Sequence, residues 1–291
     1  MDLGDLAIFQ AVLQEGGITA AARRLNRVQS NITTRIRQLE DDLGVPLFQR
    51  EGRRLQPTPA ARILQDYAGQ LLGLAQEARD AVISNAPQGQ LRLGAMENTA
   101  AVRLPPLLAD FHQRYPAVQL ELRTGATARL IAEVLAGTLD CALVCGPVED
   151  ARLESLPFCR ETLLLIGARG RPPLPDDRPH TLLAFDSGCA YRQRLELWLR
   201  HSGCAVDRIV ELDSYHAMIS CAASGMGLAL VPQALLACLP AGDSVACHAL
   251  PEHIAIADTV LIRRRQQRHA AVDAFAALLT ASAPPGGERA A

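Results

Sequence analysis

Apolar positions in the first sixty residues fall at helical intervals. Leu3, Leu6, Ala7, Phe9, Ala11, Val12 and Leu13 recur as one helix would place them, and Gly16-Gly17 ends that helix. Thr19 is positioned to cap a short helix over 20–25. Asn26-Arg27-Val28 separates it from a polar helix over 29–43, which Gly44 stops. A small-residue helix, a tight turn and a polar helix form the helix-turn-helix plan, because alanines let two helices approach closely. On the polar helix, Ile32, Ile36, Leu39 and Leu43 repeat at four and three and predict the buried face. Gln29, Ser30, Asn31, Thr33, Thr34, Arg35 and Arg37 fill much of the rest. Such a surface suits base edges and phosphates in a major groove. For Ser30, capping of the helix start is the alternative role.

Two short extended runs, 46–49 and 54–56, flank Glu51-Gly52 and predict a small hairpin with basic tips, a wing that can touch phosphate. A long helix follows from Pro59 to about Ser84. Leu64, Tyr67, Ala68, Leu71, Leu74, Ala75, Ala78, Ala81 and Val82 trace a stripe of period near 3.5, which fits a helix-pair seam. The segment NAPQGQ, 85–90, is the linker. Beyond it, strands at 91–95, 118–123, 140–144, 163–167, 182–185, 208–212, 227–231, 245–250 and 258–263 alternate with helical stretches. That alternation predicts open α/β sheets of parallel strands in two lobes. The expected organisation is multi-domain. An all-α winged helix-turn-helix domain occupies 1–59, and a linker and dimerisation helix with its hinge occupies 60–88. A two-lobed α/β domain follows over 89–282, with lobe I at 89–161 and 265–282 and lobe II at 162–264. The tail, 283–291, is expected to be disordered.

Composition changes this picture only locally. The chain has 291 residues, a net charge of −2 and an ordinary apolar share of 49%. This excludes a disordered chain and a disulfide-stapled mini-protein. Every cation other than histidine is an arginine, and residues 23–62 hold nine Arg against four acids. A basic N-terminal region on a mildly acidic chain is a nucleic-acid footprint. The start carries Asp2 and Asp5 and no basic signal-peptide region, so a cytoplasmic protein without membrane attachment is expected.

Residues 1–64 resemble the signature of LysR-type transcriptional regulators. The resemblance rests on Ala20-Ala21-Ala22, Leu25, Gln29, Ile36, Leu39-Glu40, Leu43-Gly44, Leu47-Phe48, Arg50, Arg53 and Thr58. Arg103-Leu104-Pro105, 137–140 and 225–232 resemble that family's effector domain, which is similar to periplasmic type 2 solute-binding folds. Within the family the chain is similar to the glutamate-synthase-regulator-like branch. The resemblance implies that Gln29, Ser30, Thr33 and Thr34 face bases, with Asn31 and Arg35 beside them, and that Arg50, Arg53 and Arg54 hold phosphate. It implies promoter DNA and a small-molecule effector as partners, a homodimer through the linker helix, a homotetramer, contact with RNA polymerase, and no cofactor. The chain departs from the family at Thr33, usually Ser, at Thr34, often Arg, and at Ala61, commonly Gly. Thr34 cannot read guanine as an arginine does, so base preference is altered at that position.

Effectors of such sheets sit beyond the carboxyl ends of strands, at helix N-termini. Asn98, Thr99 and Ala100 follow the first strand of the α/β part, and Gly125 and Thr127 follow the second. Cys145, Asp186, Ser187, Ser214, Tyr215 and His216 supply the remaining expected walls. Helix starts and hydroxyls favour a small anion such as a carboxylate, which Glu97 opposes. The eight cysteines all lie from Cys141 onward without metal-ligand spacing. Cys141, Cys145 and Cys221 sit in apolar runs. Cys189 and Cys204 look more exposed and define a second reading, an oxidant-responsive regulator. A plain solute-binding protein is the third. Enzyme motifs such as Gly-x-Ser-x-Gly or a P-loop are absent from the sequence, and no enzyme activity is expected.

Overall fold

The computed structural model describes residues 1–51, 54–83, 86–170, 179–239, 244–248, 250–265, 267 and 269–282. The chain divides near residue 85 into two compact units. The expected disordered tail, 283–291, lies outside the described residues.

The first unit is built from α1 (Leu3–Glu15), α2 (Ile18–Arg24), α3 (Gln29–Leu43), a hairpin of β1 (Phe48–Glu51) and β2 (Arg54–Pro57), and α4 (Pro59–Ile83). Asp2 and Asp5 form a reciprocal capping box at the start of α1, and Gly16 closes it in the left-handed conformation. Thr19 caps nothing: α2 begins one residue earlier, behind Gly17, with no side-chain cap. The turn into α3 instead carries a Schellman pair, Arg27 N–H to the Ala22 carbonyl at 2.9 Å and Asn26 N–H to Arg23 at 3.2 Å. This puts Asn26 at φ 54°, a conformation that Asn tolerates better than most residues. Thr58 accepts a hydrogen bond from the Ala61 N–H and donates to the Pro46 carbonyl, which joins the start of α4 to the base of the hairpin.

Leu6, Phe9, Ile32, Ile36, Leu39 and Leu47 are buried together. Each contributes about 1.5–3 kcal/mol of burial, which is what fixes α3 on its neighbours. The α4 stripe separates into two. Ala61, Leu64, Ala68 and Leu72 pack on this core, while Ile63, Tyr67, Leu71 and Leu74 stand exposed. Leu64 and Ala68, expected in a seam with another helix, serve their own unit instead.

The second unit is α/β. Parallel strands β3 (Gly89–Ala95), β4 (Val118–Thr124) and β5 (Cys141–Cys145) lie beside β11 (Ile256–Arg264) and β6 (Leu153–Ala168), which run antiparallel to their neighbours. The far end of β6 pairs with β9 (Ala229–Pro232) and β10 (Val245–His248). β7 (His180–Ala184) and β8 (Val206–Glu211) form a separate parallel pair, bridged to the start of the β9 segment by Leu182 and Leu228. There Gly227 lets the backbones meet, since a Cβ would lie 2.4 Å from the Thr181 carbonyl oxygen.

The larger sheet is therefore mixed, a correction to the expected parallel strands, while the β7–β8 pair is parallel. β6 extends ten residues further back than its predicted core because Pro157 masks the first half. A register shift opposite Thr259-Val260 accommodates that proline. β11 belongs with the lobe I strands, although the predicted boundary put it in lobe II; only its antiparallel pairing with β5 places it there. The helices are α5 (Leu104–Arg114), entered through a π-helical turn at Thr99–Arg103, α6 (Thr127–Leu135), α7 (Ala190–His201), α8 (Tyr215–Ala223), α9 (Gln233–Cys238), α10 (Glu252–Ala255) and α11 (Ala270–Ala281). Among the described residues, no helix is long and apolar enough to cross a membrane.

Candidate functional site

Two surfaces carry candidate chemistry, one in each unit. On α3, Gln29, Ser30, Asn31, Thr34 and Arg37 are exposed, opposite the buried Ile32, Ile36 and Leu39. Ser30 is not a cap, because Val28 holds that position without a side-chain bond. Thr33 is only half-exposed and donates its hydroxyl to the Gln29 carbonyl at 3.0 Å. Asn31 Oδ1 receives Arg27 Nη1 at 3.5 Å.

Arg35 departs from expectation. Its Nε lies 2.9 Å from Asp5 Oδ1 and its Nη2 3.0 Å from Asp2 Oδ2. The guanidinium is thus held by the start of α1, and the sequence pattern could not show this, because the pairing spans thirty residues. Glu40 takes a comparable part, accepting the Leu47 and Phe48 N–H groups at 2.8 and 3.1 Å and holding the hairpin to α3. Arg53 lies outside the described residues, as do the side chains of Arg50 and Arg54.

In the second unit, a cavity of about 300 Å³ opens beyond the carboxyl ends of β3, β4, β7 and β8. This is where parallel strands leave space between diverging chain ends. Of the expected residues, Asn98, Gly125, Thr127, Asp186 and Tyr215 line it. Thr99 is fully buried, and Cys145 is sealed behind the wall, where its N–H reaches Thr127 Oγ1 at 3.3 Å. Ala100, Ser187, Ser214 and His216 are not among the lining residues. Ser214 precedes α8 without a side-chain cap, and His216 points to solvent. Sequence reasoning missed Arg129, Cys189, Tyr191 and Asp213 as lining residues. Their signal was weak but present, because each lies within three residues of a predicted strand end or helix start.

The lining is acidic. Glu97, Asp186 and Asp213 face a single cation, Arg129, which is itself paired with Glu133 at 2.9 Å. Such a lining disfavours the expected anion. Four of the donors at the helix starts are already committed. The Tyr215 N–H bonds Glu97, the Ala128 N–H reaches the Gly188 carbonyl at 3.2 Å, and the Tyr191 and Arg192 N–H groups bond Cys189. Burial holds the Glu97 carboxyl above its usual range despite the Tyr215 bond. Burial also pushes the Tyr191 and Tyr215 hydroxyls upward, so both rings stay neutral.

The cysteines differ from expectation as well. Cys204 is buried and Cys189 half-buried in the cavity wall, while Cys238 and Cys247 are the exposed ones. Burial raises the thiols of Cys141 and Cys189, takes Cys145 to about 11 and takes Cys159 to about 12. Since the thiolate is the reactive form, none of these four is primed for oxidation.

Comparison with known proteins covers both units. Residues 3–62 match the family described as bacterial regulatory helix-turn-helix protein, lysR family, and residues 84–284 match the LysR substrate binding domain. The uncharacterised HTH-type transcriptional regulator YusT of Bacillus subtilis (strain 168) is 39% identical over 266 residues, 91% of this chain and 90% of that protein. CzcR of Bacillus anthracis is 37% identical over 91% of this chain and 92% of its own length. GltR of Bacillus subtilis (strain 168) is 36% identical over 91% of each chain. Among solved structures, full-length OxyR from Pseudomonas aeruginosa superposes with a TM-score of 0.72 at 20% identity, covering 96% of this chain and 94% of that one. CbnR superposes with a TM-score of 0.68 at 24% identity, covering 98% and 100%.

Proposed function

The chain belongs to the LysR family of DNA-binding transcriptional regulators with an effector-binding domain, and from that premise we propose which of its residues act. Gln29, Ser30, Asn31 and Thr34 read base edges from α3, with Thr33 in support, and Arg37 lies beside phosphate. The observation that carries this is the exposure of that polar face on a helix whose opposite face is locked into the core. Glutamine suits adenine edges bidentately, and hydroxyls are tolerant partners. Arg35 positions the reading helix and makes no DNA contact of its own. Arg50, Arg53 and Arg54 on the wing hold phosphate. CbnR, similar in fold, is known in complex with its target DNA.

The exposed Ile63, Tyr67, Leu71 and Leu74, spaced at four, four and three, favour a homodimer through α4. Two such dimers form a tetramer acting in the cytoplasm, and each dimer presents two reading helices to two half-sites. The effector occupies the cavity beyond β3, β4, β7 and β8, and its binding is coupled to DNA affinity. Such couplings are typically about 1–3 kcal/mol. As for the family at large, its role is regulatory rather than enzymatic.

The test is a gel shift on DNA upstream of the protein's own gene, with Gln29→Ala alongside the natural chain. The substitution is expected to reduce binding to the specific site while leaving affinity for random DNA unchanged. Equal loss on both DNAs rejects base reading by Gln29.

A further inference from the structure

The cavity carries more acceptors than its own donors satisfy. Glu97 Oε2, Asn98 Oδ1 and the Tyr191 hydroxyl are buried without a hydrogen-bond partner, and all three residues line the cavity. Asn98 is 3% exposed and Tyr191 2%. Buried polar groups are normally paired; the Tyr191 hydroxyl and the Asn98 side chain lie within reach of each other, and Glu97 Oε2 above all calls for a partner from outside the chain. A carboxylate ligand cannot be that partner for Glu97 or for the Asn98 oxygen, because both accept. Four backbone donors of the wall, those of Tyr215, Ala128, Tyr191 and Arg192, are already bonded to Glu97, Gly188 and Cys189. Asp186 and Asp213 add negative charge to the same lining, and Arg129 is paired by Glu133.

We propose that the effector is a small molecule with a protonated amine, whose N–H groups meet the Glu97 carboxylate, the Asn98 oxygen and the Tyr191 hydroxyl. This rests on the reading of the cavity as the effector site. An ammonium has three donors and no acceptor, which matches these three groups. The charge-assisted bond to Glu97 is the strongest of the set. Met96, Phe185 and Cys189 leave an apolar wall for the remainder of the molecule. Phe185 and Tyr215 meet edge to face at 4.8 Å, and the T-shaped pair gives that wall a rigid corner.

The test uses the full chain and three matched probes: phenethylammonium, 2-phenylethanol and 3-phenylpropanoate. Affinity is read by calorimetry and location by hydrogen exchange. The ammonium is expected to bind at least tenfold more tightly than the alcohol or the carboxylate. Protection is expected in segments 96–98, 124–129 and 213–215. Glu97→Gln should lower the ammonium affinity at least tenfold, and Asp213→Asn about two- to threefold. Tighter binding of the carboxylate, with protection in the same segments, overturns the amine and leaves the cavity reading standing. Ammonium binding that protects other segments, or no protection by any probe, overturns both. Should Glu97→Gln not fold, Asp213→Asn and the probe ranking carry the same decision.

Discussion

Arg35 separates two roles that an arginine on a reading helix can have. Replacing it with methionine keeps the stem and removes the guanidinium. The lost pair with Asp2 matters little, because that carboxylate is 59% exposed and water screens it. The pair with Asp5 matters more, because the Asp5 side chain is only 8% exposed. One Asp5 oxygen keeps the Asp2 N–H of the capping box at 3.0 Å, while the other, Oδ1, makes no hydrogen bond and loses its ion-pair contact in Arg35→Met. Removing the counter-charge from a carboxylate this buried, with a partly exposed partner, costs about 1–3 kcal/mol. With Arg35 itself one-third exposed, a total near 2 kcal/mol is expected. Hydrogen exchange in peptides spanning α1 and α3 reads this locally, as opening about 30-fold more frequent. The second arm is fluorescence anisotropy on the upstream promoter duplex across a salt series. A positioning residue weakens binding without changing the slope of log affinity against log salt. A phosphate contact lowers that slope by about 0.9. Unchanged exchange together with a slope reduced by that amount refutes the positioning role.

Three further predictions follow from single features. Asn26→Ala should destabilise the first unit by about 1–2 kcal/mol, whereas Asn26→Gly should be neutral or stabilising, because φ 54° penalises a Cβ; urea denaturation followed by circular dichroism decides. For Glu97, burial raises the folded-state pKa above the ordinary 4.5. The stability it contributes is therefore fully present below pH 4.5 and is lost as pH rises through the higher folded value. Glu97→Gln should accordingly raise the melting temperature at pH 7, with the difference vanishing toward pH 4; Asp186, Asp213 and Arg129 are common to both proteins and cancel. Tyr67→Glu with Leu74→Glu should convert dimers to monomers in analytical ultracentrifugation while leaving the fold intact, since both side chains stand in solvent at 60% and 62% exposure.

Local patterns determined much of this protein. The spacing of Ile32, Ile36 and Leu39 predicted which face of α3 would be buried, because a helix of 3.6 residues per turn leaves no other choice. Gly44 marked the end of α3, and the alternation after residue 90 marked an α/β unit. Strand ends also located the cavity, since Asn98, Gly125, Thr127, Asp186 and Tyr215 all line it. Tertiary pairing decided the rest. The partner of Arg35 is thirty residues away, and β11 joined its sheet through residues more than a hundred positions earlier. Cys204 looks exposed in the sequence and is buried, because burial follows from packing in three dimensions. The acidic lining of the cavity was hidden in the sequence for the same reason. Helix starts in the sequence promise donors for an anion. The folded chain has given four of those donors to Glu97, Gly188 and Cys189, and it leaves the Glu97 Oε2 acceptor buried and unpaired.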